Sequence, residues 1–202
     1  MKHDRGTFTL NKDELIALTT FACADETRAH INCVQLIPSS GSVAATDGHT
    51  LLCLTATDTG CKGDTLMVPR EMMMNAKAML RRKQQVLKAR LAGRGKRKQL
   101  ILEVFETNDT RAPLATLSAP CDARLRPTPI DRTLSSIPVD DTRTTSVIYG
   151  VNPEYAARLG LIGKLGCVGL RHLGTDDVLG PIYYIGHYIG VDVTVVLMPM
   201  RI

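Results

Sequence analysis

The sequence predicts an α+β fold built on antiparallel sheet, and three observations carry that prediction. Strand and helix signals alternate along the 202 residues in three similar runs, each a short strand, one helix, then two or three strands. The apolar content is aliphatic: 44% of the chain is hydrophobic, yet it has no Trp, three Phe and five Tyr, so the core is packed from Val, Ile, Leu, Ala and eight Met. Tight polar turns, Pro38-Ser39-Ser40-Gly41 and Asp47-Gly48 among them, join consecutive strands.

The first unit occupies residues 1–60. Thr7–Leu10 reads as a strand. Asn11 is a helix N-cap, followed by Asp13 and Glu14 in the first turn, where acids suit the helix dipole. Leu15, Leu18, Phe21 and Ala22 give an apolar stripe at helical spacing. After the polar turn Asp25–Arg28 come strands at His30–Ile37, Ser42–Thr46 and Leu51–Thr55. The second unit, residues 64–137, begins with the strand Thr65–Val68 and Pro69. Its helix is expected from residue 70 to 84, extending towards 91. Strands follow at Leu100–Glu106 and Leu114–Ser118, joined by the polar turn Thr107–Arg111. A Pro-containing linker spans 127–142. The third unit, residues 143–202, opens on the strand Thr145–Tyr149. Asn152-Pro153-Glu154 then supplies a cap, a Pro at the first helical position and an early acid. Tyr155, Leu159 and Ile162 lie on that helix, and strands are expected near Cys167–Leu173, Pro181–His187 and Val191–Met198. The last strand alternates at period two until Pro199 breaks the ladder.

Composition excludes several classes. Charged residues make up 22%, and no apolar run reaches the length of a membrane span. The opening MKHDRGTFTL has no apolar segment behind its charges, so no signal peptide is expected and the setting is cytoplasmic, with no membrane partner. Cysteines stand at 23, 33, 53, 61, 121 and 167 without a CxxC pair or zinc spacing, which fits small buried side chains in a reducing compartment. The five His sit in no catalytic signature, and Asp140-Asp141 and Asp176-Asp177 are adjacent pairs, poor ligand geometry. No catalytic residue, metal or cofactor is expected; the chain reads as non-enzymatic.

The net charge of +5 is concentrated. Lys77, Arg81, Arg82, Lys83, Lys88, Arg90, Arg94, Lys96, Arg97 and Lys98 follow one another without an acid between them. On the expected helix Lys77, Arg81, Gln84 and Lys88 share a face, while Met72, Ala76, Met79 and Leu80 lie opposite for packing. Such a face contacts phosphates without reading bases. The plain alternative is a solvated helix surface.

Two distant segments carry a resemblance. Ala44-Ala45-Thr46-Asp47-Gly48-His49-Thr50-Leu51 and the tail Val195-Val196-Leu197-Met198-Pro199-Met200-Arg201 closely resemble paired motifs of bacterial sliding clamps, the ring-shaped processivity factors of replicative polymerases. Asp25–Arg28, Met67-Val68-Pro69-Arg70 and Gly150–Tyr155 are similar to further segments of the same family. The chain departs from the pattern at Thr50, where the family usually has Arg, and it offers three units where a full clamp subunit has six.

The resemblance implies the DNA-clamp fold, with antiparallel sheets outside and helices lining the DNA side. It implies one complete domain over 1–137, made of units 1–60 and 64–137, and a half-domain over 143–202 that carries the tail. It implies non-specific binding of double-stranded DNA through Arg28, Lys77, Arg81, Arg82, Lys83, Lys88 and Arg90. It also implies a partner-peptide pocket of Ile31, Thr46, Gly48, His49, Leu51, Pro129, Leu134, Val196, Met198, Pro199 and Met200, occupied by peptides from a polymerase, a clamp loader or other clamp-motif proteins. Met at such a surface adapts to varied partners. An odd number of units leaves the third with an unpaired edge and a helix lacking a neighbour, so a homo-oligomer is expected: a dimer at minimum and a tetrameric ring when closed. The rival readings are a clamp-fold interaction protein without a ring and a basic DNA-binding regulator.

Overall fold

A computed structural model describes residues 1–4, 7–56, 63–93, 98–108, 111–121, 125–135, 137, 151–167, 169–173 and 180–199. The first unit keeps its predicted order of elements, with an added strand in front and with residues 30–32 in a turn, so that the strand expected from His30 begins at Cys33. After strands β1 (Lys2–Asp4) and β2 (Thr7–Leu10), Asn11 closes a capping box on helix α1 (Lys12–Phe21): its side chain accepts from Glu14 N at 2.9 Å, and the Glu14 carboxylate accepts from Asn11 N at 2.7 Å. Leu15, Leu18 and Phe21 are fully buried, and strands β3 (Cys33–Ile37), β4 (Ser42–Thr46) and β5 (Thr50–Ala56) follow.

In the second unit, strand β6 (Leu66–Pro69) leads into helix α2 (Arg70–Met79). Met73, Ala76 and Leu80 are its buried contacts, with Met72 and Met79 partly buried beside them. The helix stops there, which corrects the expectation of a helix reaching 84 or 91. Residues from Gln85 to Ala92 form strand β7 instead, followed by β8 (Gln99–Glu106) and β9 (Ala115–Pro120). The reason is visible in the side chains. Gln85, Leu87 and Ala89 are buried while Val86, Lys88 and Arg90 are not, the period of a strand and not of a helix. The buried Gln85 amide holds the reversal, accepting from Arg81 N at 2.8 Å and Arg82 N at 3.1 Å. The expected linker contains a short helix, α3 (Ile130–Ser135).

In the third unit Asn152 caps α4 (Pro153–Ala157), its side chain accepting from Glu154 N at 2.9 Å. Helix α5 (Leu159–Lys164) and strands β10 (Arg171–Leu173), β11 (Ile182–Tyr188) and β12 (Val191–Leu197) complete the described chain. The expected strand Thr145–Tyr149, both Asp-Asp pairs, Cys61 and the basic residues 94, 96 and 97 lie outside the described residues.

The topology interleaves the units. One sheet runs β1-β2-β7-β8-β9 and the other β10-β11-β12-β5-β4-β3-β6, with every neighbour antiparallel. The first two units exchange their leading strands: β2 lies beside β7, and β6 beside β3. Helices α1 and α2 and Ile162 of α5 share one core with the inward residues of both sheets. A smaller cluster sits on the other face of the longer sheet, where Ile130 of α3 covers Ala44, Leu51, Cys53 and Val196.

The third unit is docked more fully than expected. Strand β12 pairs with β5 from Val191↔Ala56 to Leu197↔Thr50. Ile162 and Leu165 enter the common core beside α1. The Tyr188 hydroxyl donates to the fully buried Glu14 at 2.6 Å, and burial with that carboxylate pushes the phenol pKa up. Among the described residues the strand of this unit at the end of its sheet is β10, not β12, and α5 packs beside α1.

Candidate partner-peptide groove

The β4–β5 hairpin builds one wall. Asp47 Oδ1 accepts from His49 N at 2.9 Å, Thr50 N at 2.8 Å and Thr50 Oγ1 at 3.1 Å, folding the backbone around its own side chain. Thr46 Oγ1 donates to Thr50 O at 2.7 Å and accepts from Gly48 N at 3.0 Å. Gly48 has φ +92°, and a Cβ there would come within 3.0 Å of Arg28 Nη2, so glycine meets two demands at once. Met198 N donates to His49 O at 2.8 Å, carrying the β12–β5 ladder into the tail.

The third unit holds this turn from behind. Arg158 Nη1 donates to Asp47 Oδ2 at 2.7 Å and to Thr50 Oγ1 at 2.6 Å. Its guanidinium lies 5.1 Å from the Tyr155 ring centroid and 5.7 Å from that of Phe21. The Tyr155 ring stacks on His49 at 5.6 Å. Burial alone would raise the Asp47 pKa; the N–H groups of His49 and Thr50 and the Arg158 guanidinium outweigh it and hold the carboxyl below the usual range.

Thr46, Gly48, His49, Thr50, Leu51, Thr128, Ile130, Thr133, Val196 and Met198 line a groove of about 110 Å³. Its walls are mainly apolar with a few threonine hydroxyls, which suits apolar side chains of a bound peptide. Met198, 41% exposed, forms its adaptable rim. Of the residues anticipated here, Thr46, Gly48, His49, Leu51, Val196 and Met198 meet in this concavity. Ile31 is buried beside the turn, its Cδ1 3.8 Å from the Cβ position of Gly48. Leu134 packs on the cluster beneath, whereas Pro129 is exposed and Pro199 half-buried, both outside the lining. Met200 lies outside the described residues. Sequence reading missed Thr128, Ile130 and Thr133, which sit in a stretch taken as linker. It also missed Arg158, whose only sequence signal was its place one turn after Tyr155 on a capped helix.

The basic residues do not form one face. Lys77 lies on α2 with its Nζ 3.2 Å from Met74 Sδ, and Arg81, Arg82 and Lys83 are exposed in the following turn. Lys88 and Arg90 are on β7 and point away from the helices. The Lys88 Nζ stands 4.5 Å over the Phe105 ring, and Arg90 is paired with Glu103 at 3.1 and 3.3 Å. Strand alternation, which buries Leu87 and Ala89 against α1 and α2, necessarily turns Lys88 and Arg90 outward. Arg28 is exposed beside the groove's turn, where its Nη1 donates to Asp47 O at 3.3 Å. Among the described residues no cluster of His, Cys, Asp or Glu could hold a metal ion, and no helix is long and apolar enough to cross a membrane. Burial raises the Cys33 thiol to about 12.

Two interleaved sheets, with paired helices on one side and a small groove on the other, are the architecture of a bacterial sliding clamp, and the whole chain superposes on that fold. The DNA polymerase III subunit beta of Pseudomonas aeruginosa matches 100% of this chain with 69% of its own, at TM-score 0.56 and 15% identity. The DNA polymerase III beta subunit of Thermotoga maritima gives TM-score 0.56 at 12% identity, covering all of this chain and 67% of that one. The DNA polymerase sliding clamp of Caulobacter crescentus gives 0.56 at 16%, again over all of this chain and 68% of its own. No family model and no curated protein sequence matches the chain.

Proposed function

We propose that this chain is a sliding-clamp-type processivity factor. It is a non-enzymatic DNA-replication protein that captures short partner peptides in the groove and tethers their owners to double-stranded DNA within a homo-oligomeric ring. The observation that supports this most is the meeting of the β4–β5 turn with the start of the tail around one apolar concavity, on a chain whose fold is that of the clamps. A peptide with two or three apolar anchors has there both hydrophobic walls and a mobile Met rim. The phosphate contacts are Lys77, Arg81, Arg82 and Lys83, on the helix side of the sheets. The expected partners are a polymerase, a clamp loader or other proteins with clamp-binding peptides, in the cytoplasm.

The test is retention on circular against linear DNA of equal length, with peptide binding followed in parallel by fluorescence anisotropy. A ring is retained on the circle and slides off the linear form. Equal, salt-sensitive binding to both would replace the ring with a simple DNA-binding protein. A specific observation favours a second reading, a clamp-fold interaction protein that competes for clamp partners without encircling DNA. The groove is assembled within one chain, while two of the expected DNA contacts, Lys88 and Arg90, face away from the helices. Peptide binding with no retention on either DNA would establish that alternative.

A further inference from the structure

Strand β3 is buried along its whole length, and Gln35 is the one polar side chain on it, 2% exposed between Val34 and Leu36. An amide in such a place is costly unless both of its ends are bonded. Gln35 pairs with Ala44 across the β3–β4 ladder, so it stands on the sheet's outer face, the one that Ile130, Leu134 and Ile137 cover. Its amide meets the backbone of Thr128 at two points: Nε2 donates to Thr128 O at 3.3 Å, and Oε1 accepts from Thr128 N at 3.2 Å. The side chain thus bonds Thr128 as a neighbouring strand would. Thr128 is tied a second time, its Oγ1 donating to His30 O at 3.2 Å. We propose that Gln35 is the positioning residue of the peptide groove: without lining the groove it fixes the wall made by Thr128, Ile130 and Thr133, and so sets the affinity for a partner peptide. The proposal deepens the groove reading given above and rests on it.

The three walls of the groove are held in different ways. The hairpin wall is fixed by Asp47 and Arg158, and the Val196 wall by the β12–β5 ladder. The third wall lies in neither sheet, and its helix α3 has six residues, too few to hold a geometry alone. Ile130 anchors it in the outer cluster, but apolar burial is non-directional and does not set where the flanking hydroxyls point. The Gln35 tie is directional and reaches the wall over a short path. Thr128 O, which accepts from the Gln35 amide, also accepts from Ile130 N at 2.7 Å. Pro129 between them has its φ fixed by its ring, and Pro129 O accepts from Arg132 N at 3.2 Å in the next turn. A shift of Thr128 therefore carries Ile130 and Thr133 with it. A leucine would suit the rest of the apolar strand equally well, so what the amide adds at position 35 is orientation of the crossing segment.

The experiment titrates the full chain into a fluorescein-labelled clamp-binding peptide of a bacterial replicative polymerase and follows anisotropy, with amide hydrogen exchange over residues 128–135 and thermal melting read on the same samples. In Gln35→Leu the peptide is expected to bind about tenfold more weakly, the scale of a lost pair of hydrogen bonds. Exchange over 128–135 is expected to quicken, while the melting temperature stays near that of the wild type because water reaches the half-buried Thr128. Gln35→Glu separates positioning from packing. Its protonated carboxyl donates to Thr128 O and accepts from Thr128 N as the amide does, whereas the ionised carboxylate can only accept. Its affinity relative to the wild type is therefore expected to climb as pH falls through the carboxyl titration, with no such climb in Gln35→Leu. Gln35→Leu is also expected to be non-additive with Thr133→Ala, on the same wall, and additive with Met198→Ala, on the opposite rim. Wild-type affinity in Gln35→Leu, with or without quickened exchange, overturns the positioning role and leaves the groove reading standing. So do parallel pH profiles for the Leu and Glu variants. A wild-type chain that binds no such peptide strikes the groove reading and the positioning role together.

Discussion

The groove gathers residues from opposite ends of the sequence into one concavity, while the basic stretch scatters sequence neighbours over separate surfaces. In the groove, each distant piece is tied to the next by a bond that leaves little freedom: Met198 N to His49 O, Arg158 to Asp47, Tyr155 against His49. In the basic stretch, the chain passes from helix to turn to strand within a few residues. Lys77, Arg82 and Lys88 therefore end on a helix surface, a loop and the far side of a sheet. Proximity along the chain made a surface only where the secondary structure did not change.

The largest effect that would break this contrast is removal of Met198–Ile202. It takes away the groove's Met198 rim and the Met198–His49 backbone bond while leaving the β12–β5 ladder up to Leu197 in place, so peptide binding is expected to vanish while the melting temperature changes little. Unchanged affinity in an anisotropy titration would show that the concavity is not the peptide site.

Arg158→Ala comes next. It leaves the half-buried Asp47 carboxylate without its cation, and breaking a buried pair in this way costs about 3 kcal/mol. The expected readout is a loss of that order in urea unfolding together with weakened peptide binding. The pH dependence has a definite sign. Asp47 titrates lower in the folded state than in the unfolded one, so its contribution is present above the unfolded carboxyl pKa and disappears as pH falls through the folded value. With Arg158→Ala that loss is expected at higher pH than in the wild type, followed by acid titration of peptide binding.

Gly48→Ala is smaller, about 1–2 kcal/mol for placing a side chain at positive φ, and the close Arg28 guanidinium must also shift. Stability and peptide affinity are expected to fall together; an unchanged melting curve would mean that the turn relaxes freely. The smallest effects sharpen the other side of the comparison. Arg81→Glu with Arg82→Glu is expected to lower DNA affinity and flatten the log-log salt slope by about one per lost phosphate contact. Lys88→Glu with Arg90→Glu is expected to leave both unchanged. Equal losses in the two pairs would return the strand to the DNA surface.

Much of the fold was legible because local chemistry agreed with it. The Asn11 capping box, the Asn152-Pro153-Glu154 helix start and the alternating tail are each set by residues within one turn or strand. The second unit was misread where two periodicities competed. Leu87-Lys88-Ala89-Arg90-Leu91 alternates apolar and charged residues at period two, yet its charge continues that of the preceding helix. The Asp47–Thr50 turn could be read from its dipeptide, but Arg158 could not, because nothing local says which carboxylate a helix arginine will meet. The stretch 127–142 looked like linker because its prolines stand out. Ile130, buried under the sheet's outer face, shows that it is also a cover.

The exchange of leading strands has a consequence for how the chain reaches its native state. Phe8 pairs with Ala89 and Leu10 with Leu87, so β2, with only the short β1 on its other side, gains its second neighbour once most of the second unit has emerged. Neither of the first two units can close its sheet alone, and contacts of such long sequence separation slow folding. A nascent chain halted after the first unit therefore leaves the β7-side edge of β2 and the apolar face of α1 uncovered, and arrival of the second unit is what closes that sheet.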